Sequence, residues 1–171
     1  ILILTFFLTI FTDLVVAVNV GVILAVLQFM RKMVRTIDVH EMSCEELSEQ
    51  VKHEVTIHPE IMVYTVEGPL FFGAISAFER ALNSIHKDPK FLIIRFGQVP
   101  FVDLTGLRIL RGIIEELQKR GIEVLLSDVN YDIRHEMYKS DFLTILGRHH
   151  MYRQFESALH KAEHDLAVKM S

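Results

Sequence analysis

The chain has 171 residues, half of them hydrophobic, and its mean hydropathy of +0.30 is high for a soluble domain of this size. The excess lies at the start, where Asp13 is the only charged residue before Arg31. Positions 36–171 hold 15 basic and 21 acidic residues, a formal charge of about −6, which disfavours nucleic-acid binding because that needs clustered Lys and Arg. Cys44 is the single cysteine, which excludes an intrachain disulfide and a cysteine-based zinc site.

The first thirty residues predict membrane helices. One helix of that length would measure about 45 Å, more than the roughly 30 Å hydrocarbon core of a bilayer. We therefore expect a break near Thr12–Asp13, with Asp13 capping a second helix over Leu14–Met30. Small residues recur every four positions on this second helix and would let a neighbouring helix approach closely; they are Ala17, Gly21 and Ala25.

Two other interpretations of this segment are weaker. A secretory signal peptide would need a basic stretch ahead of the apolar run and a small-residue cleavage site before Arg31. A buried helix of a soluble protein would need a large apolar partner surface that the rest of the chain lacks. Basic residues follow the apolar run directly, and the positive-inside tendency places everything from residue 31 onward in the cytoplasm; they are Arg31, Lys32 and Arg35.

The soluble part alternates between strand and helix patterns. Apolar spacing and turn residues predict strands at Ile61–Val66, Phe91–Phe96 and Ile122–Leu126, and helices at Ala74–Ile85, Asp103–Arg120, Asp132–Lys139 and Tyr152–Ala167. Short connections between these elements imply parallel pairing through right-handed crossovers. The predicted fold class is α/β, a sheet of mostly parallel strands flanked by helices and preceded by the membrane segment.

Three segments, in the right order, carry a family resemblance. PFVDLTGLRIL (Pro100–Leu110) resembles the signature of STAS domains, and GPLFFGAISAFERAL (Gly68–Leu82) resembles the strand-to-helix segment of STAS domains in SulP (sulfate permease) transporters. TFFLTIFTDLVVAVNVGVILAVLQFMRKM (residues 5–33) resembles the last two membrane helices of that family. The implied division is 1–30 for partial transporter helices, 31–55 for a basic hinge and connecting segment, and 56–171 for a cytoplasmic STAS domain.

The resemblance also implies a regulatory or ligand-binding loop. In anti-anti-sigma factors of this fold the loop reads roughly Asp-Ser-Ser-Gly, and the Ser before the Gly is phosphorylated; the matching residues here are Asp103, Leu104, Thr105 and Gly106. A helix N-terminus favours a phosphate, so Thr105 is a candidate phosphorylation site. The alternative is structural, with Asp103 capping the helix and Thr105 packing at its start. Leu104 departs from the Ser-Ser pattern.

Phe71 and Phe72 follow Gly68-Pro69 and are candidates for partner contact, although we expect at least one of them to pack in the core. The adjacent His149 and His150 point in different directions and predict solvated side chains rather than a metal site. The sequence has no nucleophile-base set, phosphate-cradling motif or metal-ligand cluster, so we predict neither an enzyme nor a cofactor.

The implied function is the C-terminal part of a secondary anion transporter of the sulfate, bicarbonate or dicarboxylate class, in which the STAS domain regulates or assembles the membrane domain. The implied location is the cell membrane, as a multi-pass protein. Expected partners are the upstream membrane domain, the bilayer through residues 1–30, a second protomer, and a cytosolic regulatory protein or nucleotide. The alternative is a membrane-tethered STAS signalling protein of the anti-anti-sigma type, switched by phosphorylation of Thr105.

Overall fold

The computed structural model of the chain describes residues 2–34, 38–43, 57–71, 81 and 89–170. The chain divides into two units, residues 1–36 and 37–171.

The first unit consists of helices α1 (Leu2–Phe11) and α2 (Leu14–Val34). The predicted break is confirmed by two backbone hydrogen bonds. The Thr12 amide donates the last bond of α1 to the Leu8 carbonyl, and the Asp13 carbonyl accepts the first bond of α2 from the Ala17 amide. α2 continues past the predicted end at Met30, since Arg and Lys are good helix formers and their charges suit a helix C-terminus. Within α2, Leu14–Lys32 is long and apolar enough to cross a membrane, with a mean hydropathy of 2.1.

Two of the small residues of α2, Ala17 and Gly21, face α1. Ala17 is 2% exposed, and a Cβ added at Gly21 would come within 2.9 Å of the Thr5 Cγ2 atom. The hydroxyls of Thr5, Thr9 and Thr12 donate to backbone carbonyls three or four residues earlier in α1. These bonds satisfy the hydroxyl groups of an otherwise apolar helix.

The second unit is built on one four-stranded sheet in the order β1-β2-β3-β4. The strands are β1 (Asp38–Glu41), β2 (Ile61–Glu67), β3 (Phe91–Gln98) and β4 (Glu123–Ser127). β2, β3 and β4 are parallel to one another, as predicted, whereas β1 is antiparallel to β2 and begins opposite its last residue, Glu67. The start of β1 therefore lies at the end of the sheet where the parallel strands have their C-termini. We call this end of the sheet the carboxyl edge and the opposite end, where the parallel strands begin, the amino edge.

The α-helices described after residue 89 are α3 (Leu104–Lys119), α4 (Tyr131–Lys139), α5 (Phe142–Leu146) and α6 (Phe155–Met170). Alternate strand residues form a core cluster with α6; they are Ile61, Val63, Phe91, Ile93 and Leu125, packed with Phe155, Ala158, Ala162 and Leu166. The intervening residues Leu92, Ile94, Val124 and Leu126 are equally buried, and because side chains alternate along a strand they line the other face. α3 makes the crossover from β3 to β4 and buries its own apolar stripe, Leu107, Leu110, Ile114 and Leu117.

Apart from Ala74–Ile85, the strands and helices predicted in the second unit are present, with ends shifted by at most three residues. Gly121 follows α3 with a φ of +82°, which suits glycine. Among the described residues, the elements that were not predicted are β1, the five-residue α5 and the short 3₁₀ helix Arg148–His150. The predicted helix Ala74–Ile85 lies outside the described residues, apart from the buried Ala81.

Candidate functional site

Asp103 caps α3. Its backbone is extended (φ −96°, ψ 171°), and its Oδ1 atom accepts a hydrogen bond of 2.6 Å from the Gly106 amide. The Asp103 carbonyl accepts the first helical bond, from the Leu107 amide. The capping role predicted for Asp103 is therefore confirmed, and one of the unpaired amides of the helix N-terminus is satisfied by a carboxylate.

Gly106 lies against the segment that follows β2. A Cβ at this position would collide with the carbonyl oxygen of Leu70. Leu70 is held there by two backbone bonds, because its amide donates to the Phe101 carbonyl and its carbonyl accepts from the Asp103 amide. The glycine of the loop is thus required by a close approach of two backbones, for which only a hydrogen side chain leaves room.

Two of the four loop residues face solvent. Leu104 is 57% exposed, and Thr105 is also exposed in the first turn of α3. Asp103 is half-buried and Gly106 is buried, as their capping and packing roles require. The loop therefore combines a rigid base, Asp103 and Gly106, with a solvent-facing pair, Leu104 and Thr105.

The aromatic residue displayed at this loop is Phe101 rather than Phe71. Phe71 is only 8% exposed and stacks on Phe101, with ring centroids 6.5 Å apart and planes inclined by 12°. Phe101 is 45% exposed. We expected at least one of Phe71 and Phe72 to pack in the core, and Phe71 does so. The backbone pairing of Leu70 turns the Phe71 ring inward. Phe72 lies outside the described residues. Sequence reasoning overlooked Phe101, although its place two residues before the Asp103 cap was a usable signal.

Comparison with known proteins identifies the fold family. The profile of the STAS domain family matches residues 52–158, which is more than half of the chain. The chain belongs to the STAS family.

Two relatives connect this STAS domain with sulfate transporters. A protein of Bacillus subtilis named as a candidate sulfate transporter, YvdB, is 28% identical over 149 residues, covering 86% of this chain and 27% of YvdB. The STAS domain of a SulP transporter from Vibrio cholerae is 36% identical, with a TM-score of 0.61 over 72% of this chain and 98% of that structure. The recognition of a SulP-type STAS domain is thereby confirmed, and the chain spans about a quarter of the length of YvdB.

Two further structures share the fold at lower identity. The mouse anion transporter Slc26a9, in its inward-facing state, has a TM-score of 0.75 at 17% identity, over 94% of this chain and 28% of its own. An anti-sigma factor antagonist from Mycobacterium paratuberculosis has a TM-score of 0.53 at 19% identity, over 72% of this chain and 93% of its own. At these identities the likeness concerns the fold alone.

A polar row crosses the STAS sheet near the carboxyl edge. Thr65, Arg95 and Ser127 are aligned in register on β2, β3 and β4. Asp128 follows β4 in the left-handed region (φ 58°) and its Oδ2 atom lies 2.8 Å from the Arg95 Nε atom. Its other oxygen accepts from the Phe155 amide at 3.1 Å, so the same carboxylate holds the start of α6. Nothing local in the sequence signals this pairing across 33 residues.

The amino edge holds a second charged cluster. Glu123, the first residue of β4, accepts a hydrogen bond of 2.8 Å from the Lys169 Nζ atom, and its other oxygen lies 3.1 Å from the His150 Nε2 atom. Burial favours the neutral carboxyl, but the hydrogen bonds and charges of Lys169 and His150 outweigh it, so the pKa of Glu123 is lowered from its usual value. Lys169 also lies over the Phe91 ring, 4.8 Å from its centroid. The end of α6 is thereby attached to this edge of the sheet.

Nearby on α6, Lys161 and Asp165 form an ion pair one turn apart. The hydrogen bond between them raises the pKa of Lys161 and lowers that of Asp165. Burial raises the pKa of the neighbouring Tyr152. Within the described ranges, no three His, Cys, Asp or Glu side chains are grouped to hold a metal ion.

Proposed function

We propose that the chain is the C-terminal part of a SulP-type secondary anion transporter of the sulfate, bicarbonate or dicarboxylate class. The observation that carries this proposal is the 28% identity to YvdB over 86% of the chain, which extends beyond the STAS profile at residues 52–158. Alternating access by upstream helices would move the anion.

In this proposal, residues 1–30 belong to the membrane part, 31–55 form a hinge, and the domain from 56 to 171 lies in the cytoplasm. The helix of Leu14–Lys32 and the basic residues at its end support that orientation. The STAS domain would regulate or assemble the membrane domain of a homodimer, and the Asp103–Gly106 loop would bind a cytosolic regulatory protein or a nucleotide. No catalytic role is assigned to it.

The proposal is tested by the mass of the native polypeptide. Membranes from the source cell are immunoblotted with an antibody against residues 36–171. A membrane band several times heavier than 19.8 kDa is expected, since the chain accounts for about a quarter of YvdB. A single band near the mass of the chain would contradict the transporter proposal.

A second candidate function rests on the exposure of Thr105. A phosphate on this side chain would lie in the first turn of α3, where the helix dipole favours negative charge. This is the arrangement that a membrane-tethered switch of the anti-anti-sigma type would use. Mass spectrometry of the native protein should then find phosphate at Thr105, and Thr105→Ala should abolish the signal. Unmodified Thr105 under all growth conditions would reject this candidate.

A further inference from the structure

The loop before α3 presents two apolar side chains to solvent. Phe101 is 45% exposed and Leu104 is 57% exposed, and only two residues separate them in the chain. Single exposed apolar groups are common on proteins, but two of them close together in the chain form a candidate contact surface. We call Phe101 and Leu104 the apolar pair.

The surrounding structure holds the backbone that carries both side chains. Phe101 stacks beside the buried Phe71 ring, and the Phe101 carbonyl accepts from the Leu70 amide. Leu104 is the first residue of α3, whose start is held by the Asp103 cap. Little backbone entropy would therefore be lost at these residues on binding, which favours affinity.

Acidic residues outnumber basic ones at the carboxyl edge, where the apolar pair lies. Asp103 lies between its two members, Glu67 ends β2 beside the last residue of β3, and Asp132 lies in the first turn of α4. The α4 helix begins next to the same loop, since the Asn130 side chain donates to the Val99 carbonyl at 3.1 Å. Other charged residues described at this edge are Arg108, Arg134, and the Arg95–Asp128 pair, together with Asp38 at the start of β1. These five acids and three bases leave the edge acidic, in keeping with the charge of about −6 over positions 36–171.

We propose that the apolar pair and its acidic rim form a docking site for a protein segment that carries an apolar side chain flanked by Lys or Arg. The inference rests on the proposed function, because it assigns a partner chemistry to the loop of the regulatory domain. Charge complementarity selects this occupant: an acidic rim attracts a basic segment and repels an anionic membrane surface. The apolar anchor supplies affinity, and the carboxylates supply orientation and rate of association.

The test uses the full chain in phosphatidylcholine nanodiscs, with empty nanodiscs as the blank. Two fluorescent peptides serve as probes: two leucines flanked on each side by two lysines, and the same peptide with glutamates in place of the lysines. Fluorescence anisotropy should show saturable binding of the lysine peptide, at least tenfold tighter than that of the glutamate peptide. Raising the salt concentration should weaken binding of the lysine peptide.

Single variants locate the site. Phe101→Ser and Leu104→Ser should each weaken binding of the lysine peptide about tenfold, and Asp132→Asn about twofold. Val168→Ser is the matched control, because Val168 is 64% exposed and is followed by Lys169, which binds Glu123 at the opposite edge of the sheet. Hydrogen exchange at β3 verifies that each variant is folded. Asp132→Asn leaves both apolar side chains in place, so it still tests the site if Phe101→Ser or Leu104→Ser does not fold.

Equal binding of the two peptides would overturn the inference, as would unchanged affinity in folded Leu104→Ser or an equal loss in Val168→Ser. Recruitment of the lysine peptide only by nanodiscs that contain anionic lipid would overturn it as well. These outcomes are separable from failure of the proposed function. A heavy native band together with absent peptide binding rejects the docking site alone, whereas a light band with intact peptide binding rejects the transporter alone.

Discussion

The two edges of the STAS sheet are built differently. At the amino edge, Glu123 is bonded to Lys169 and His150, so the last turn of α6 is attached to the sheet by ion pairs. At the carboxyl edge, the Asp103 cap and the Leu70 carbonyl fix the backbone, and the Asp128 carboxylate holds the start of α6. This edge differs in that it also displays two apolar side chains, Phe101 and Leu104, which have no such role within the domain.

This difference indicates where function should be sought in the domain. Charged groups satisfied within the domain contribute to stability and have little left for a partner, whereas exposed apolar groups on a rigid backbone contribute little to folding. Substitutions of internally bonded groups should therefore lower stability, whereas substitutions of Phe101 and Leu104 should affect recognition. For the predictions below, the free energy of unfolding is measured on the full chain in detergent by hydrogen exchange of the β3 amides in urea.

The largest effect is expected at the backbone contact of the carboxyl edge. Gly106→Ala places a Cβ against the Leu70 carbonyl, so two backbone segments must separate. We expect a loss of about 3 kcal/mol in the free energy of unfolding, at the upper end of the range for overpacking.

The control is Gly112→Ala on the same helix. A Cβ there meets nothing within 4 Å, and the residue is exposed. Alanine should raise stability by up to about 1 kcal/mol because it is the better helix former. Similar destabilisation by both variants would contradict the role assigned to the Leu70–Gly106 contact.

A smaller effect is expected from the carboxylate that connects β3 to α6. Asp128→Ala removes the bonds to Arg95, to the Ser127 hydroxyl and to the Phe155 amide, and should cost about 2 kcal/mol. Asp141→Ala is the matched control, because Asp141 has a similar left-handed backbone (φ 52°) but no side-chain capping bond. An equal loss in both variants would assign the effect to the backbone rather than to the carboxylate.

The smallest effect is expected at the amino edge and should depend on pH. Glu123→Gln removes the charge paired with Lys169, and because the site is partly exposed the loss should be below about 1 kcal/mol. The pKa of Glu123 is lowered in the folded protein, so its contribution is present above pH 4.5, the ordinary value, and disappears as the pH falls through the lower folded pKa.

Stability curves of the parent chain and Glu123→Gln should therefore converge in acid. A difference that persists at the lowest pH where the protein remains folded would show that packing, and not charge, accounts for the effect. High salt should also reduce the difference, since salt screens partly exposed pairs.

The sequence was most informative where the signal was local. α3 was predicted from its apolar spacing, its Asp103 cap and Gly121, and all three are present. β1 was missed because only Val39 of its four residues is buried, and its strand character comes from pairing with β2. α5 was missed because five residues are too few for a helical period to be recognised.

At the candidate site too, local contacts could be predicted from the sequence and long-range contacts could not. The cap at Asp103 could be predicted because it depends on residues three positions apart. Two other contacts join segments about 30 residues apart: Gly106 against Leu70, and Phe71 stacked on Phe101. Both depend on how the segments that follow β2 and β3 meet. Which aromatic ring faces solvent was therefore decided by tertiary packing, and so was the pairing of Arg95 with Asp128.

The most direct test of the transporter assignment is anion uptake. Membrane vesicles from cells that overproduce the native gene product are compared with vesicles from cells that lack it, using radiolabelled sulfate, bicarbonate and a dicarboxylate. We expect saturable uptake of at least one of these anions that depends on the gene product. Uptake of none of them above the level of the deletion strain, with the protein present in the membrane, would contradict the transporter proposal.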